Sequence, residues 1–242
     1  MIKTLSSLFF SSVFLDRESF FPVENLYHLL SSEERLILDQ RNYQTDLRRR
    51  QFVYGRLLLK QLLHSKFNFE IQSLTIAASE SGAPSLILDG VVVENVGLSI
   101  AHYDNSVFGA VGFNCRCGVD VQSVFGVDWG AVLRAMEWSV SLDGQWLGIS
   151  FDPRYDNYVS PQLRSALIWS GYEAWYKCND GVVFPSDFRL HQVRLLWKDT
   201  VTHSMIFEMF LACGCSYNSY IADCIYLRVC SDEIFAVAVQ GF

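Results

Sequence analysis

Several features that would direct a chain to a membrane, to secretion or to nucleic acid are missing from this sequence. No uncharged apolar stretch approaches the roughly 20 residues of a membrane-spanning helix. The seven cysteines are an odd number and lack the spacing of a disulfide framework or a zinc site, so reduced thiols are expected. The formal net charge of −7 argues against general nucleic-acid binding and against a polybasic membrane anchor. We therefore expect a soluble, cytoplasmic protein.

The chain is rich in apolar and aromatic residues. Its 242 residues are 50% hydrophobic and 14% aromatic, enough to bury a sizeable core as one domain or two closely packed subdomains. Residues 1–15 look like a short signal peptide, but serines interrupt the apolar run. A charged cluster at 16–18 follows without a small-residue cleavage site, so we predict a first β-strand here.

The hydrophobic periodicity predicts two halves, each with helices followed by antiparallel strands. In the first half, Ser31 opens a capped helix and a second helix spans about 46–65. The strands predicted after them are 74–78, 86–88, 96–100, 107–113 and 117–124, the last three forming a meander that ends on Asp120. In the second half, the predicted helices are 129–138 and 161–178, and the predicted strands are 190–198, 203–212, 220–230 and 234–240. An irregular connection is expected at 141–160, and the fold class is α+β rather than a parallel βαβ array.

Two segments place candidate metal ligands on one face of an element. Trp169, Glu173 and Lys177 recur at intervals of four, which stacks a ring, a carboxylate and an ammonium on one helix face. In the strand around 118–122, alternation sends Asp120 and Gln122 to the same side. A surface ion pair is the alternative for Glu173 and Lys177, but the flanking aromatic residues indicate a half-buried helix.

Positive charge is concentrated in one predicted helix, at Arg48–Arg50, Arg56 and Lys60. Such a run is either a solvated helix face or an anion-binding site, and the pattern alone leaves both open.

Five motifs occur in a fixed order along residues 25–185. They are Arg49-x-x-Phe52-x-x-Gly55-Arg56, Gly82-x-Pro84, Leu98-Ser-Ile-Ala-His102, Gly118-Val-Asp120-Val, and Trp169-x-x-x-Glu173-Ala-x-x-Lys177. In this order they resemble the 4'-phosphopantetheinyl transferases of the surfactin-synthetase-activating type.

The resemblance implies a pseudo-twofold pair of α+β subdomains, 1–113 and 114–242, the second carrying the metal site. It implies a monomeric enzyme that binds coenzyme A and Mg²⁺ between its halves. The reaction would transfer the phosphopantetheine arm to a serine of an apo acyl or peptidyl carrier protein.

The resemblance also implies roles for individual residues. Asp120, Glu173 and Gln122 would be the metal ligands, and carboxylate oxygens suit Mg²⁺. Glu173 would also help to deprotonate the attacking serine, and Lys177 would stabilise the α-phosphate or the leaving group.

The resemblance implies that a second set of residues binds coenzyme A. His102 would contact a phosphate of coenzyme A. Without the resemblance, the favoured interpretation of a histidine at the end of a strand is a hydrogen-bonded residue that caps the strand. The other implied coenzyme A residues are Arg35, Arg49, Arg56 and Pro84.

The chain departs from the family pattern at four positions. Ala83 stands for the usual lysine of the Gly-Lys-Pro turn, and Ala101 for the serine before the histidine. Gln122 replaces a frequent second acid, and Tyr172 replaces a lysine before the glutamate. These changes motivate the alternative of a weakened or non-catalytic relative that binds coenzyme A or a carrier protein. A structural α+β interaction protein whose motifs coincide by chance is the third hypothesis.

Overall fold

The computed structural model describes residues 8–15, 22–41, 43, 45–79, 82–135, 150–151, 159–180, 190–199, 201, 204–211 and 224–241. The chain divides into two compact units, Met1–Val119 with Gly241–Phe242 (unit 1) and Asp120–Gln240 (unit 2). Each unit combines helices with mainly antiparallel strands, so the predicted α+β class is confirmed. Most of the predicted connection 141–160 lies outside the described residues.

Unit 1 contains three α-helices and two three-stranded sheets in its described part. The helices are α1 Val23–Leu26, α2 Ser32–Gln40 and α3 Asp46–Phe67. The strands are β1 Leu8–Phe14, β2 Leu74–Ala78, β3 Pro84–Leu88, β4 Val91–Val92, β5 Val96–Tyr103 and β6 Ser106–Phe113. The sheet orders are β1-β6-β5 and β2-β3-β4.

Capping residues set where the helices of unit 1 begin. The Ser31 side chain accepts a hydrogen bond from the Glu34 N–H at 3.2 Å, and Glu34 Oε2 accepts one from the Ser31 N–H at 2.7 Å, which is a capping box. Thr45 caps α3, and Asn68 ends it at a φ of 59°. The apolar side of α3 faces the core, because Leu58, Leu59, Leu62 and Leu63 are buried with Phe52.

A buried ion pair fixes α3 against α2. Lys60 Nζ lies 2.7 Å from Glu34 Oε2, and both side chains are fully buried. The other carboxylate oxygen of Glu34 accepts a hydrogen bond from the Ile76 N–H of β2 at 2.9 Å. These bonds hold the helix that carries Arg48 and Arg56 in one position.

Unit 2 is built around one long helix on a six-stranded sheet. The helices are α4 Trp129–Ala135 and α5 Pro161–Cys178. The strands are β7 Cys115–Ser123, which crosses from unit 1 into unit 2 after Val119, then β8 Ser150–Phe151, β9 Leu190–Lys198, β10 Met205–Leu211, β11 Cys224–Cys230 and β12 Glu233–Gly241. The sheet order is β7-β12-β11-β10-β9-β8.

Helix α5 packs closely on strand β10. A Cβ built on Gly171 would lie 2.4 Å from Met209 Sδ, so any larger residue here would have to displace the end of the Met209 side chain. Leu167, Ile168 and Trp175 of α5 are buried in the core of the unit. The packing leaves the Glu173 side chain on the partly exposed face of the helix.

The predicted pairing of strand β7 was wrong, and the structure adds a short strand that was not predicted. Strand β7 does not continue the meander of β5 and β6 but lies at the edge of the six-stranded sheet, next to β12. Strand β8 pairs with β9 in parallel, so α5 is the crossover of a βαβ unit within a mainly antiparallel sheet. Alternating hydrophobicity indicates a strand but does not identify its neighbour.

Two other expectations concern the membrane and the thiols. Within the described residues, every helix is too short or too polar to cross a bilayer. Cysteines 115, 117, 178 and 230 are free thiols in the structure.

Candidate functional site

Strand β7 and helix α5 bring Asp120, Glu173 and Lys177 together in unit 2. Lys177 Nζ lies 2.8 Å from Asp120 Oδ1 and 4.0 Å from Glu173 Oε2. The two motifs are 57 residues apart at this contact, so the fold and not local sequence joins them. We call these three residues the acidic cluster.

Asp120 is a buried carboxylate with one oxygen unused. Its neighbours Val119 and Val121 are fully buried, and Asp120 itself is only 2% exposed. Oδ1 accepts the hydrogen bond from Lys177, whereas Oδ2 is buried and has no hydrogen-bond partner among the described residues. A carboxylate oxygen in this state is costly unless a ligand or cation supplies a partner.

The environment of Glu173 favours its neutral form. Burial raises the pKa of Glu173 above its ordinary 4.5, Lys177 acts in the opposite direction, and the negative charge of Asp120 adds to the rise. A carboxylate with a raised pKa is a stronger base than an ordinary glutamate.

Aromatic side chains of helix α5, the helix that carries Glu173 and Lys177, pack against one another and against Trp129. Trp169 stacks with Trp129 at 6.2 Å and contacts Tyr172 at 5.9 Å. Tyr172, one of the departures from the family pattern, is buried in this group and contacts Trp175 and Tyr176. It therefore serves the core of unit 2 and presents no charge to the cluster.

The carboxylate oxygens of the acidic cluster are of the type that binds a hard cation, although they are few. Two carboxylates share one ammonium group, and a buried oxygen of Asp120 lacks a partner. Gln122, two residues along β7 and partly exposed, is placed by strand alternation on the Asp120 side. The described residues contain no group of three or more histidine, cysteine, aspartate or glutamate side chains that could hold a metal. Mg²⁺ commonly uses only one or two carboxylates, with water and substrate phosphates, so the residues fit it.

Unit 1 contains a cavity of about 200 Å³ with a basic lining. Helix α3 contributes Arg48, Phe52 and Arg56, which are spaced by four residues and so share one helix face. His102 lines it from the end of β5, and Pro84 from the start of β3. The remaining lining residues are Arg41, Tyr43, Gln51, Ala77, Ala78, Gly82 and Ile100.

A hydrogen-bond network orders the basic groups at this cavity. Arg48 Nη1 lies 3.0 Å from Gln51 Oε1 and 3.2 Å from His102 Nδ1. Gln51 Nε2 in turn donates to the Asp104 carbonyl at 2.7 Å. Because a guanidinium group only donates, the His102 nitrogen that bonds to Arg48 must be an unprotonated acceptor.

Arg56 is a buried cation on the cavity wall. Its guanidinium lies 3.4 Å from the centroid of the Phe52 ring, and its residue exposure is only 8%. Burial lowers the pKa of Arg56 to about 10, partly offset by Glu34, so the group stays charged at neutral pH. Its Nε has no hydrogen-bond partner among the described residues.

The structure gathers some of the predicted coenzyme A residues and not others. Arg56, Pro84 and His102 line the cavity, whereas Arg35 and Arg49 are not among its lining residues. Arg35 lies over the Tyr27 ring at 5.6 Å, and Arg49 pairs with Glu24 at 3.0 Å.

The sequence interpretation missed other lining residues. Arg48 was part of the basic run but was not assigned, although its spacing from Phe52 and Arg56 is a usable signal. Arg41, Tyr43 and Gln51 carried no signal of their own.

Comparisons with known proteins add little to this geometry. No family model matches the chain, and none of the curated proteins matches it. Among solved structures, the chain is similar to a holo-(acyl-carrier-protein) synthase from Bacillus anthracis str. Ames in complex with CoA (3',5'-ADP). The identity is 18%, the TM-score is 0.37, and the match covers 44% of this chain and 94% of that chain. This likeness is too weak to fix a family or an activity.

Proposed function

We propose that this protein transfers the 4'-phosphopantetheine group from coenzyme A to a serine of an apo carrier protein. The observation that carries the proposal is the acidic cluster, in which the Asp120 motif of β7 meets the Glu173 and Lys177 motif of α5. The sequence motifs that resemble the transferase family contain these same three residues.

The reaction needs a base and a means of stabilising phosphate charge. The serine oxygen forms a bond to the phosphorus that carries the pantetheine arm, and the bond from that phosphorus to the bridging oxygen breaks. Adenosine 3',5'-bisphosphate leaves with the bridging oxygen. Glu173 is suited to take the serine proton because its pKa is raised by burial. Lys177 is suited to donate to a phosphate oxygen because about a third of its side chain is exposed.

Mg²⁺ would be held by Asp120 and Glu173, with Gln122 as a candidate third ligand, and would neutralise charge on the pyrophosphate. The unpartnered Oδ2 of Asp120 supports this assignment.

The basic cavity of unit 1 supports coenzyme A as the donor. Arg48, Arg56 and His102 line one cavity, and their donor groups suit phosphate oxygens. The apolar wall of Phe52, Pro84 and Ile100 suits the flat face of a nucleoside.

A relative that binds coenzyme A or a carrier protein without transfer is the second candidate. Two observations favour it: Gln122 stands where a second acid is frequent, and Lys177 already occupies one oxygen of Asp120. The cytoplasmic location, the monomeric state and the two-lobed family type stay predictions.

Mass spectrometry of apo carrier proteins incubated with coenzyme A and Mg²⁺ tests the proposal. We expect the native protein to add phosphopantetheine, and Asp120→Ala and Glu173→Ala each to reduce the rate about 100-fold or more with the fold intact. Asp232→Ala, which removes an exposed carboxylate of the same unit, is the matched control and should react normally. Native-like rates for either cluster variant would remove that residue from the site.

A further inference from the structure

Two buried polar atoms at the basic cavity lack hydrogen-bond partners among the described residues. They are the Tyr43 hydroxyl and Arg56 Nε. Both residues line the same cavity of about 200 Å³. Buried polar atoms are nearly always satisfied in native proteins, so two orphans at one cavity indicate a missing partner.

The charge around Arg56 points to the nature of that partner. Glu34 and Tyr43 both act to raise the pKa of Arg56, but Glu34 is the carboxylate of the two and is already bonded to Lys60 at 2.7 Å. Arg41 adds further positive charge and lowers the pKa of Arg56. The buried cation is therefore poorly compensated, and an anion in the cavity would relieve it.

Tyr43 is held where its hydroxyl can serve such an anion. Its ring packs against Phe52 with centroids 5.7 Å apart, and its N–H donates to the Arg41 carbonyl at 2.7 Å. A phenolic hydroxyl held by packing loses little further freedom when it donates to a ligand.

We propose that Tyr43 is a ligand-binding residue whose hydroxyl, together with Arg56 Nε, donates to a phosphate group bound in this cavity. The identification of the phosphate as part of coenzyme A rests on the proposed function. The recognition of a phosphate by this pair rests on the cavity alone. A hydroxyl whose hydrogen-bond partner is a ligand does not stabilise the ligand-free protein.

Calorimetric titration with adenosine 3',5'-bisphosphate tests the proposal, with adenosine as the phosphate-free probe. Tyr43→Phe should weaken binding of the bisphosphate by about tenfold or more, because a hydrogen bond to a charged group is lost. Its affinity for adenosine should stay unchanged. Tyr103→Phe, a tyrosine of β5 outside the cavity lining, should bind the bisphosphate like the native protein.

Thermal denaturation separates a ligand-binding role from a structural one. The ligand-free Tm of Tyr43→Phe should equal or exceed the native value, because the change removes an unpartnered buried hydroxyl. The increase in Tm caused by the bisphosphate should shrink in this variant.

Binding and transfer are measured separately, so the two proposals can fail separately. Unchanged bisphosphate affinity in Tyr43→Phe, absence of binding by the native protein, or a lowered ligand-free Tm would each overturn the role of Tyr43. Tyr43-dependent binding by a protein without transferase activity would support that role and contradict the proposed function. Transfer activity with affinity independent of Tyr43 would do the reverse.

Discussion

Replacing Lys177 with methionine should destabilise unit 2, because Lys177 donates the only described hydrogen bond to the Asp120 side chain. Asp120 Oδ2 already has no partner, and Oδ1 would lose its bond at 2.8 Å. The variant would keep a carboxylate that is 3% exposed and, among the residues that the structure describes, has no other cation in contact. Methionine preserves most of the lysine stem, so the change tests the ammonium group and not packing.

The expected size of the effect follows from the exposure of the pair. Breaking a fully buried ion pair costs about 3–5 kcal/mol, and a hydrogen bond to a charged group contributes about 1.5–3 kcal/mol. The Lys177 side chain is 31% exposed, so water can partly replace it. We therefore expect a loss of roughly 2–3 kcal/mol in the free energy of unfolding, or about 5–10 °C in Tm for a chain of this size.

Chemical denaturation and thermal scans of a double-variant cycle provide the assay. Adding Asp120→Asn to Lys177→Met removes the unpaired charge and should recover most of the lost stability. A native Tm for Lys177→Met, or a double variant no more stable than Lys177→Met, would refute the geometry assigned to the acidic cluster.

The remaining predictions concern the metal, strand β7 and pH. Coenzyme A should raise Tm more with Mg²⁺ than with chelator, because the metal would bridge ligand and protein; equal shifts would contradict this. Gln122→Glu should lower the Mg²⁺ concentration for half-maximal activity at unchanged Tm, whereas a lowered Tm with unchanged Mg²⁺ dependence would mean that Gln122 packs against protein. Because the pKa of Glu173 is raised and the base must be deprotonated, kcat/KM should fall as pH decreases through a value above 4.5; a profile flat down to 4.5 would exclude Glu173 as the base.

Local signals in the sequence were sufficient for most helices and strands. Helix α5 was predicted at its observed bounds of 161–178, and strand β2 at 74–78. Helix α5 begins after the N-cap residue Ser160 and ends at Cys178, which Asn179 follows. The capping box at Ser31 marks the start of α2. Such signals are carried by neighbouring residues, so no tertiary contact is needed to read them.

Strand pairing could not be predicted in the same way. The alternating pattern around β7 indicates a strand, but it does not say whether β6 or β12 is its neighbour. Strand β8 is only two residues long, Ser150–Phe151, which is too short to show a period. Its parallel pairing with β9 depends on the crossover helix α5 and not on its own sequence.

In the candidate site, too, local sequence signals predicted some features, whereas others depend on the fold. Motif order selected Asp120, Glu173 and Lys177, but the direct bond between Lys177 and Asp120 required the fold. Helix phase could have selected Arg48 with Arg56, whereas the motif led to Arg49, which pairs with Glu24. An unsatisfied hydroxyl such as that of Tyr43 is visible only when every neighbouring atom is known.

The most direct test of the central claim measures both products of one reaction. The native protein, coenzyme A, Mg²⁺ and a panel of apo acyl and peptidyl carrier proteins are incubated, and the carrier serine and the released nucleotide are quantified together. We predict a carrier modified on one serine by phosphopantetheine and an equal amount of adenosine 3',5'-bisphosphate. Carriers that all stay unmodified, or nucleotide release without carrier modification, would contradict the account.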